Sequence, residues 1–435
     1  MSDFLYARSQ MGLSLAFHII FATAGIGMPV LMAISEALYL KTKQPVYLEL
    51  SKRWARGTAI LFAVGAVSGT VLSFELGLLW PSFMEKAGAI IGMPFSLEGF
   101  AFFTEAIFLG LFLYGWNRIP PAMHWLSGVI VAISGILSGI FVVMANAWMN
   151  APTGFSHEGG VFKNIDPVAA MLNPASLHET VHMTLAAFVA TGFAVAGVHA
   201  FFLLRDRNNA FHRAAFGIAA LLGCISAPLQ ILSGDVSARQ VSVLQPAKLA
   251  AMEAHFHTGI RVPLTVGGLP DETTQQTRYG LEIPSGLSLL LGHSPNTEVT
   301  GLDRIPRENW PNVSLVHWSF DIMVGSGMAL LGLTLWTGFI WWRDRKTPDR
   351  SSLLRSYLFC APLGFVAIET GWMVTELGRQ PWIIYEVIRT RDAVTPMKGL
   401  VVPFTAITVL YLLLSVIVVA LMRRNFLETS PRRAP

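Results

Sequence analysis

Long apolar runs, broken by short charged segments, set the pattern of this chain. A membrane-crossing helix needs about 20 apolar residues. Nine stretches qualify, at about 11–35, 57–80, 95–116, 123–148, 179–204, 214–234, 315–342, 355–376 and 401–422. Strand-like alternation is absent, which argues against a β-barrel. The pattern predicts an all-α integral membrane protein of about nine transmembrane helices. One segment departs from it. Residues 235–314, between the sixth and seventh spans, are rich in Gly, Pro and Thr and polar in the middle. Segments of this length are usually functional or disordered. PAKLAAMEAHF (246–256) reads as a short amphipathic helix, so we expect a lid here, not a separate domain. The chain divides into 1–234 (six spans), 235–314 (the loop) and 315–435 (three spans).

Composition sharpens this picture. Of the 435 residues, 53% are hydrophobic and only 13% charged, against about 25% charged in soluble domains. Mean hydropathy is +0.53. A soluble enzyme, a nucleic-acid binder and a disordered scaffold are excluded. The net charge of +4 carries no nucleic-acid signature, because the basic residues sit in short loops. The N-terminus lacks the basic, apolar, cleavable order of a signal peptide, so the first helix is read as retained. Cys224 and Cys360 both fall in apolar runs and read as core fillers. Loops after odd-numbered spans, with the C-terminus, carry 18 Lys and Arg; the other side carries 13, or 7 without the long loop. The positive side faces the cytoplasm. This predicts the N-terminus outside, the C-terminus cytoplasmic, and the long loop on the outer face.

Ionisable groups inside spans are expensive and default to function. They are His18, Glu36, Glu75, Glu98, Glu105, His182, His199, Asp321, Glu369 and Glu376. With this orientation His18, Glu75, Glu98, His182, Asp321 and Glu376 fall towards the outer face, with Glu105 two turns below Glu98. Met323 lies beside Asp321. Imidazole, thioether and carboxylate near one membrane face suit haem iron: a His/Met pair saturates it, and a single donor leaves a position open. Two glutamates in file suit a proton relay. Bland readings stand beside these. A lone membrane histidine is more often an interior hydrogen-bonding group, and Met323 is one of 17 methionines. His199 reads as structural. His178, four residues before His182, suits either a metal pair or a solvated or hydrogen-bonded role at the water boundary, and we favour the latter. Glu36 is expected to snorkel to the inner interface. Trp80, Trp148, Trp341 and Trp342 are expected to be interfacial anchors.

These residues sit in strings that resemble the large subunit of cytochrome bd-type quinol oxidases over nearly the whole chain. GWMVTELGRQPW (371–382) is the most specific. AFHIIF around His18, SLEGFAFFTEAIF with the paired glutamates, ANAWMNAP (145–152), ETVHMTLAAFVATG, KLAAMEA (248–254) and FDIMVGSG follow in the family's order. The resemblance implies a respiratory terminal oxidase with three haems. His182 and Met323 would hold a low-spin haem b. His18 and Glu376 would each hold one of two further haems, b and d or both b. Trp372, Arg379 and Glu98 would border the haems, Glu98 and Glu105 would serve the proton path, and Lys248 and Glu253 would line the quinol site. It also implies a second membrane subunit (subunit II), small single-span subunits, and quinol and O2 as substrates in a bacterial cytoplasmic membrane. The chain departs from some members in carrying Asp321, where they have arginine, and in a seven-residue glutamate spacing. SFELGLLWP (73–81) is more similar to the cyanide-insensitive branch. Two other readings are a haem-containing quinol-oxidising relative with a non-oxygen acceptor and a proton-coupled secondary transporter. A transporter would keep its binding residues near the bilayer midplane.

Overall fold

The computed structural model describes residues 2–158, 160–345 and 350–427. Lys346, Arg432 and Arg433, counted in the charge bias above, lie outside the described residues. The helices in chain order are α1 (Asp3–Thr42), α2 (Pro45–Leu79), α3 (Pro81–Tyr114), α4 (Pro121–Asn150), α5 (Pro167–Met171), α6 (Ser176–Arg205), α7 (Ala210–Leu244), α8 (Pro246–Met252), α9 (Gly286–Gly292), α10 (Val313–Asp344), α11 (Ser351–Cys360), α12 (Leu363–Gly378), α13 (Thr390–Ala393) and α14 (Val401–Leu427). With α11 and α12 taken together, nine helices among the described residues are long and apolar enough to cross a membrane.

Their starts follow local chemistry. Pro45, Pro81 and Pro121 open α2, α3 and α4, where a missing N–H costs nothing. Asn209 and Asn312 cap α7 and α10 through their side-chain oxygens. The helices outrun the apolar stretches that signalled them. The sixth span was expected to end before Asp235, but α7 continues to Leu244, with Asp235 and Arg239 paired one turn apart on it. The third was expected to start after Pro94, yet α3 contains Pro94 and begins at Pro81. Glu98 therefore sits near the midpoint of α3, not near its start, and Glu105 two turns beyond it. The eighth span is two helices, broken at Pro362, which cannot continue the helical ladder.

The bundle core gathers Leu31, Met32, Trp54, Phe112, Phe193, Phe216 and Tyr357, all fully or nearly fully buried. Lipid gives helices no hydrophobic reason to associate, so close packing carries the contact. At Gly192 a Cβ would lie 2.6 Å from the Gly223 backbone nitrogen, so α6 and α7 touch backbone to backbone. Cys224 and Cys360 are free thiols. Trp341 and Trp342 are exposed as anchors should be, but Trp80 and Trp148 are buried. Trp148 donates to Thr153 O at 2.9 Å. Both belong to an apolar cluster with Phe83 and Ile384 that closes one end of the bundle.

Alternate helix ends meet at that same end. Leu400 N donates to Asp3 Oδ1 at 3.0 Å. Thr395 N donates to Leu79 O at 2.8 Å, and Tyr385 N to Met149 O at 3.0 Å. The start of α1, the ends of α2 and α4, and the chain between α12 and α14 are thereby tied together. The long loop docks here too. Leu249, Phe256, Leu287 and Leu302 pack against Val313 and Val316 of α10 and Val374 of α12. The loop contains α8, α9 and two short antiparallel ribbons, 264–266 with 281–283 and 269–271 with 276–278.

Candidate functional site

His18 and His182 are held by the same device. His18 Nδ1 lies 2.9 Å from Ser68 Oγ. That hydroxyl spends its own hydrogen on the backbone, 3.0 Å from Val64 O. Ser68 must therefore accept from His18 Nδ1–H, which leaves the lone pair on Nε2. His182 Nδ1 lies 2.9 Å from Ser233 Oγ, which donates to Gln230 O at 2.9 Å. The Gln230 amide donates to the His182 Nε2 lone pair at 3.0 Å. Fixing Nδ1–H by a second group, so that Nε2 is free to ligate, is how metal-binding histidines are usually oriented. His178 turns to its own serine, Ser237, at 3.3 Å and is buried, not solvated.

Met323 faces α12. A Cβ on Gly371 would come within 3.0 Å of its sulfur. Trp372 packs beside Leu15 and Ile19 of α1 and Ala186 and Ala190 of α6, between the helices that carry His18 and His182. Asp321 is not free to face a cofactor. Its Oδ2 accepts from Gly267 N at 2.6 Å and lies 3.5 Å from His317 Nε2, which ties α10 to the loop.

Glu376 is gripped at both oxygens. Asn146 Nδ2 donates to Oε1 at 2.7 Å, and Arg379 Nη2 to Oε2 at 2.6 Å. Arg379 is 1% exposed and its Nε has no partner. Its Nη1 donates to Asn150 Oδ1 at 3.1 Å. Lys248 Nζ donates to the same oxygen at 3.1 Å. Asn150 Nδ2 in turn donates to Glu179 Oε1 at 3.0 Å. The structure thus joins Lys248, expected at the quinol site, to Arg379 and Glu376, expected at the haems.

Glu253 follows α8 directly and is buried, with Oε1 unpartnered. Burial first, then the nearby Asp321 charge, pushes its carboxyl up to about 8. Burial also pulls the Lys248 ammonium below the usual lysine range.

Glu98 Oε1 accepts from Ser138 Oγ at 3.1 Å. Glu105 is 4% exposed, with Oε1 unpartnered, and lies against Gly135 of α4. Glu36 does not snorkel. It is 2% exposed, and its Oε1 is 2.8 Å from His124 Nδ1. His124 Nε2 donates to Phe112 O at 2.9 Å, so one proton is shared between His124 Nδ1 and Glu36. The helix interior gave this carboxylate a partner, which snorkelling would have forfeited. His199 Nδ1 bonds His212 Nδ1 at 2.9 Å, a structural pairing.

Sequence reasoning missed Ser68, Ser233, Gln230, Asn150, Glu179 and His124. Asn146 and Asn150 lay inside a recognised string, but their roles needed neighbours from other helices. The serines carried no signal, since hydroxyls are cheap in membrane helices.

The donor set fits haem. Two imidazoles carry their lone pairs on Nε2 in fixed rings, that of His182 held by the Gln230 amide, one thioether packs against Gly371 of α12, and a carboxylate is oriented by two donors. Arg379 Nε and His178 Nε2 remain buried and unpartnered, as cationic or polar groups awaiting an anionic ligand would.

Residues 6–430 match the family described as cytochrome bd terminal oxidase subunit I. The chain is 36% identical to a putative cytochrome bd menaquinol oxidase subunit I of Bacillus subtilis (strain 168), over 98% of this chain and 97% of that one. It is 28% identical to the cytochrome bd-II ubiquinol oxidase subunit 1 of Escherichia coli (strain K12), over 96% and 95%. The solved bd oxidase structure from Geobacillus thermodenitrificans superposes with a TM-score of 0.92 at 34% identity, covering 99% of both chains. Nine helices among the described residues long and apolar enough to cross a membrane, the shared architecture and a match over almost the full length make this chain a member of the cytochrome bd terminal oxidase subunit I family.

Proposed function

We propose that this chain is the haem-bearing, quinol-oxidising subunit of a bacterial respiratory oxidase that reduces O2 to water. The observation that carries the reading is the pair of histidines, each with Nδ1–H fixed by a serine and its lone pair on Nε2, which on His182 is met by the side-chain amide of Gln230. In this reading His182 and Met323 hold a low-spin haem b, and His18 and Glu376 hold one further haem each, b and d or both b. Bound haem supplies the one-electron steps that link quinol to oxygen.

The protein's own residues do the rest. The Lys248 ammonium donates to a quinol oxygen, and Glu253, when ionised, accepts a quinol proton and passes it to the outer face. Glu98 and Glu105 hold protons taken from the cytoplasm for water formation. Charge then crosses the membrane without a pump. Arg379 and Trp372 border the haems and exclude water. The charge bias of the loops supports an outer loop, outer N-terminus and cytoplasmic C-terminus. A second membrane subunit of the same assembly, and small single-span subunits, are the partners, alongside quinol, O2 and the lipid bilayer.

The test is the haem content and reduced-minus-oxidised spectrum of the purified protein. Haem in stoichiometric amount is expected, and a band in the red would assign haem d. Protein free of haem would defeat the reading and favour a proton-coupled transporter.

A further inference from the structure

We propose that Asn150 and Glu179 are positioning residues of quinol oxidation: the Asn150 amide holds the Lys248 ammonium without neutralising it, and Glu179 supplies the balancing charge one hydrogen bond away. The proposal rests on the quinol-site reading above.

Asn150 is 2% exposed and ends α4. Every hydrogen-bonding position of its amide is used. The oxygen accepts from Lys248 Nζ and Arg379 Nη1, both at 3.1 Å, with Gln245 Nε2 at 3.4 Å. The nitrogen donates to Glu179 Oε1 at 3.0 Å and Asn146 Oδ1 at 3.2 Å. A flipped amide would point N–H groups at two cations, so the orientation is fixed by chemistry. Among the described residues no carboxylate lies within ion-pair distance of Lys248. A buried ammonium is ordinarily matched by a carboxylate; here a neutral amide oxygen takes that place.

The choice suits the chemistry. An ammonium has three donors, and Asn150 is the acceptor shown for one of them. The others remain for the oxygen of a quinol, whose negative charge grows as its proton leaves. A carboxylate in direct contact would compete with that charge. Removing negative charge altogether would let burial deprotonate the amine. Glu179 avoids both outcomes. The other charged or titratable groups around the amine are His178 on α6, Glu376 on α12, and Arg379 directly after it. Of these and Glu179, only the two carboxylates favour the protonated amine.

The experiment measures quinol KM and kcat against pH for Glu179→Gln, Lys248→Met and the double variant Asn150→Asp/Glu179→Gln, in the purified oxidase with its haems. The low-spin haem spectrum checks assembly. For Glu179→Gln the rise of KM at alkaline pH should begin about one pH unit lower, with kcat at pH 6 little changed. The double variant returns a negative charge to Lys248 and should move that limb back up. A structural role alone would lower haem content or kcat at every pH and would not be rescued. If Lys248→Met raises KM while Glu179→Gln matches wild type at all pH, the positioning role is overturned and the quinol site stands. If Lys248→Met also matches wild type, the quinol-site reading itself falls.

Discussion

Gly378 tests the packing of the Lys248 side chain in one atom. A Cβ there would meet Lys248 Cγ at 2.6 Å, Cδ at 3.2 Å and Cε at 3.3 Å. The first clash is at Cγ, near the backbone of the buried α8, so the stem cannot swing aside at its tip alone. Gly378→Ala should displace the ammonium and break its bond to Asn150 Oδ1, 3.1 Å long. A hydrogen bond to a charged group contributes about 1.5–3 kcal/mol, and overpacking costs about 1–3 kcal/mol. Gly378 is the last residue of α12, so alanine recovers only part of the about 1 kcal/mol of interior helix preference. Folding should therefore survive, while quinol binding weakens by about one to two orders of magnitude, at 1.4 kcal/mol per decade. The assay is steady-state quinol oxidation with KM and kcat separated. A wild-type KM in Gly378→Ala, with haem content intact, would refute the placement of Lys248.

Three further outcomes follow from the same geometry. Ser233→Ala removes the acceptor of His182 Nδ1–H and should loosen haem retention about tenfold or more; haem content after dilution or detergent challenge measures it, and unaltered retention would sink the idea. Glu253 has a folded-state pKa raised to about 8, so its protonated form is the favoured one. Its contribution is full below the unfolded value near 4.5 and is lost as pH rises through about 8, on the order of a few kcal/mol. Thermal unfolding should show Glu253→Gln gaining on wild type between pH 5 and 9; a constant difference would contradict it. His124→Leu leaves Glu36 buried without its partner and should destabilise the protein by about 3–5 kcal/mol, read as a fall in Tm; an unchanged Tm would show the pair to be dispensable.

Much of the fold was legible because a membrane span announces itself by length and composition. Helix ends were less so. Asp235 and Arg239 looked like loop, yet they pair on one helix face and extend α7 past the apolar stretch. Pro94 looked like a start, yet α3 runs through it from Pro81. Costly groups such as His18, His182 and Glu376 stood out because lipid penalises them. Glu36 stood out for the same reason, but its partner His124 comes from α4, 88 residues away. No local pattern pairs such residues. Asn150 illustrates the limit best. An uncharged side chain at a helix end raises no alarm, and only the fold brings Lys248, Arg379 and Glu179 to it.

The central claim is that His182 and Met323 together hold a low-spin haem b. The most direct measurement is the reduced-minus-oxidised spectrum of purified His182→Ala and Met323→Leu proteins beside wild type. The account predicts that both variants lose the low-spin b signal while keeping part of the remaining haem. A wild-type low-spin signal in His182→Ala would contradict it.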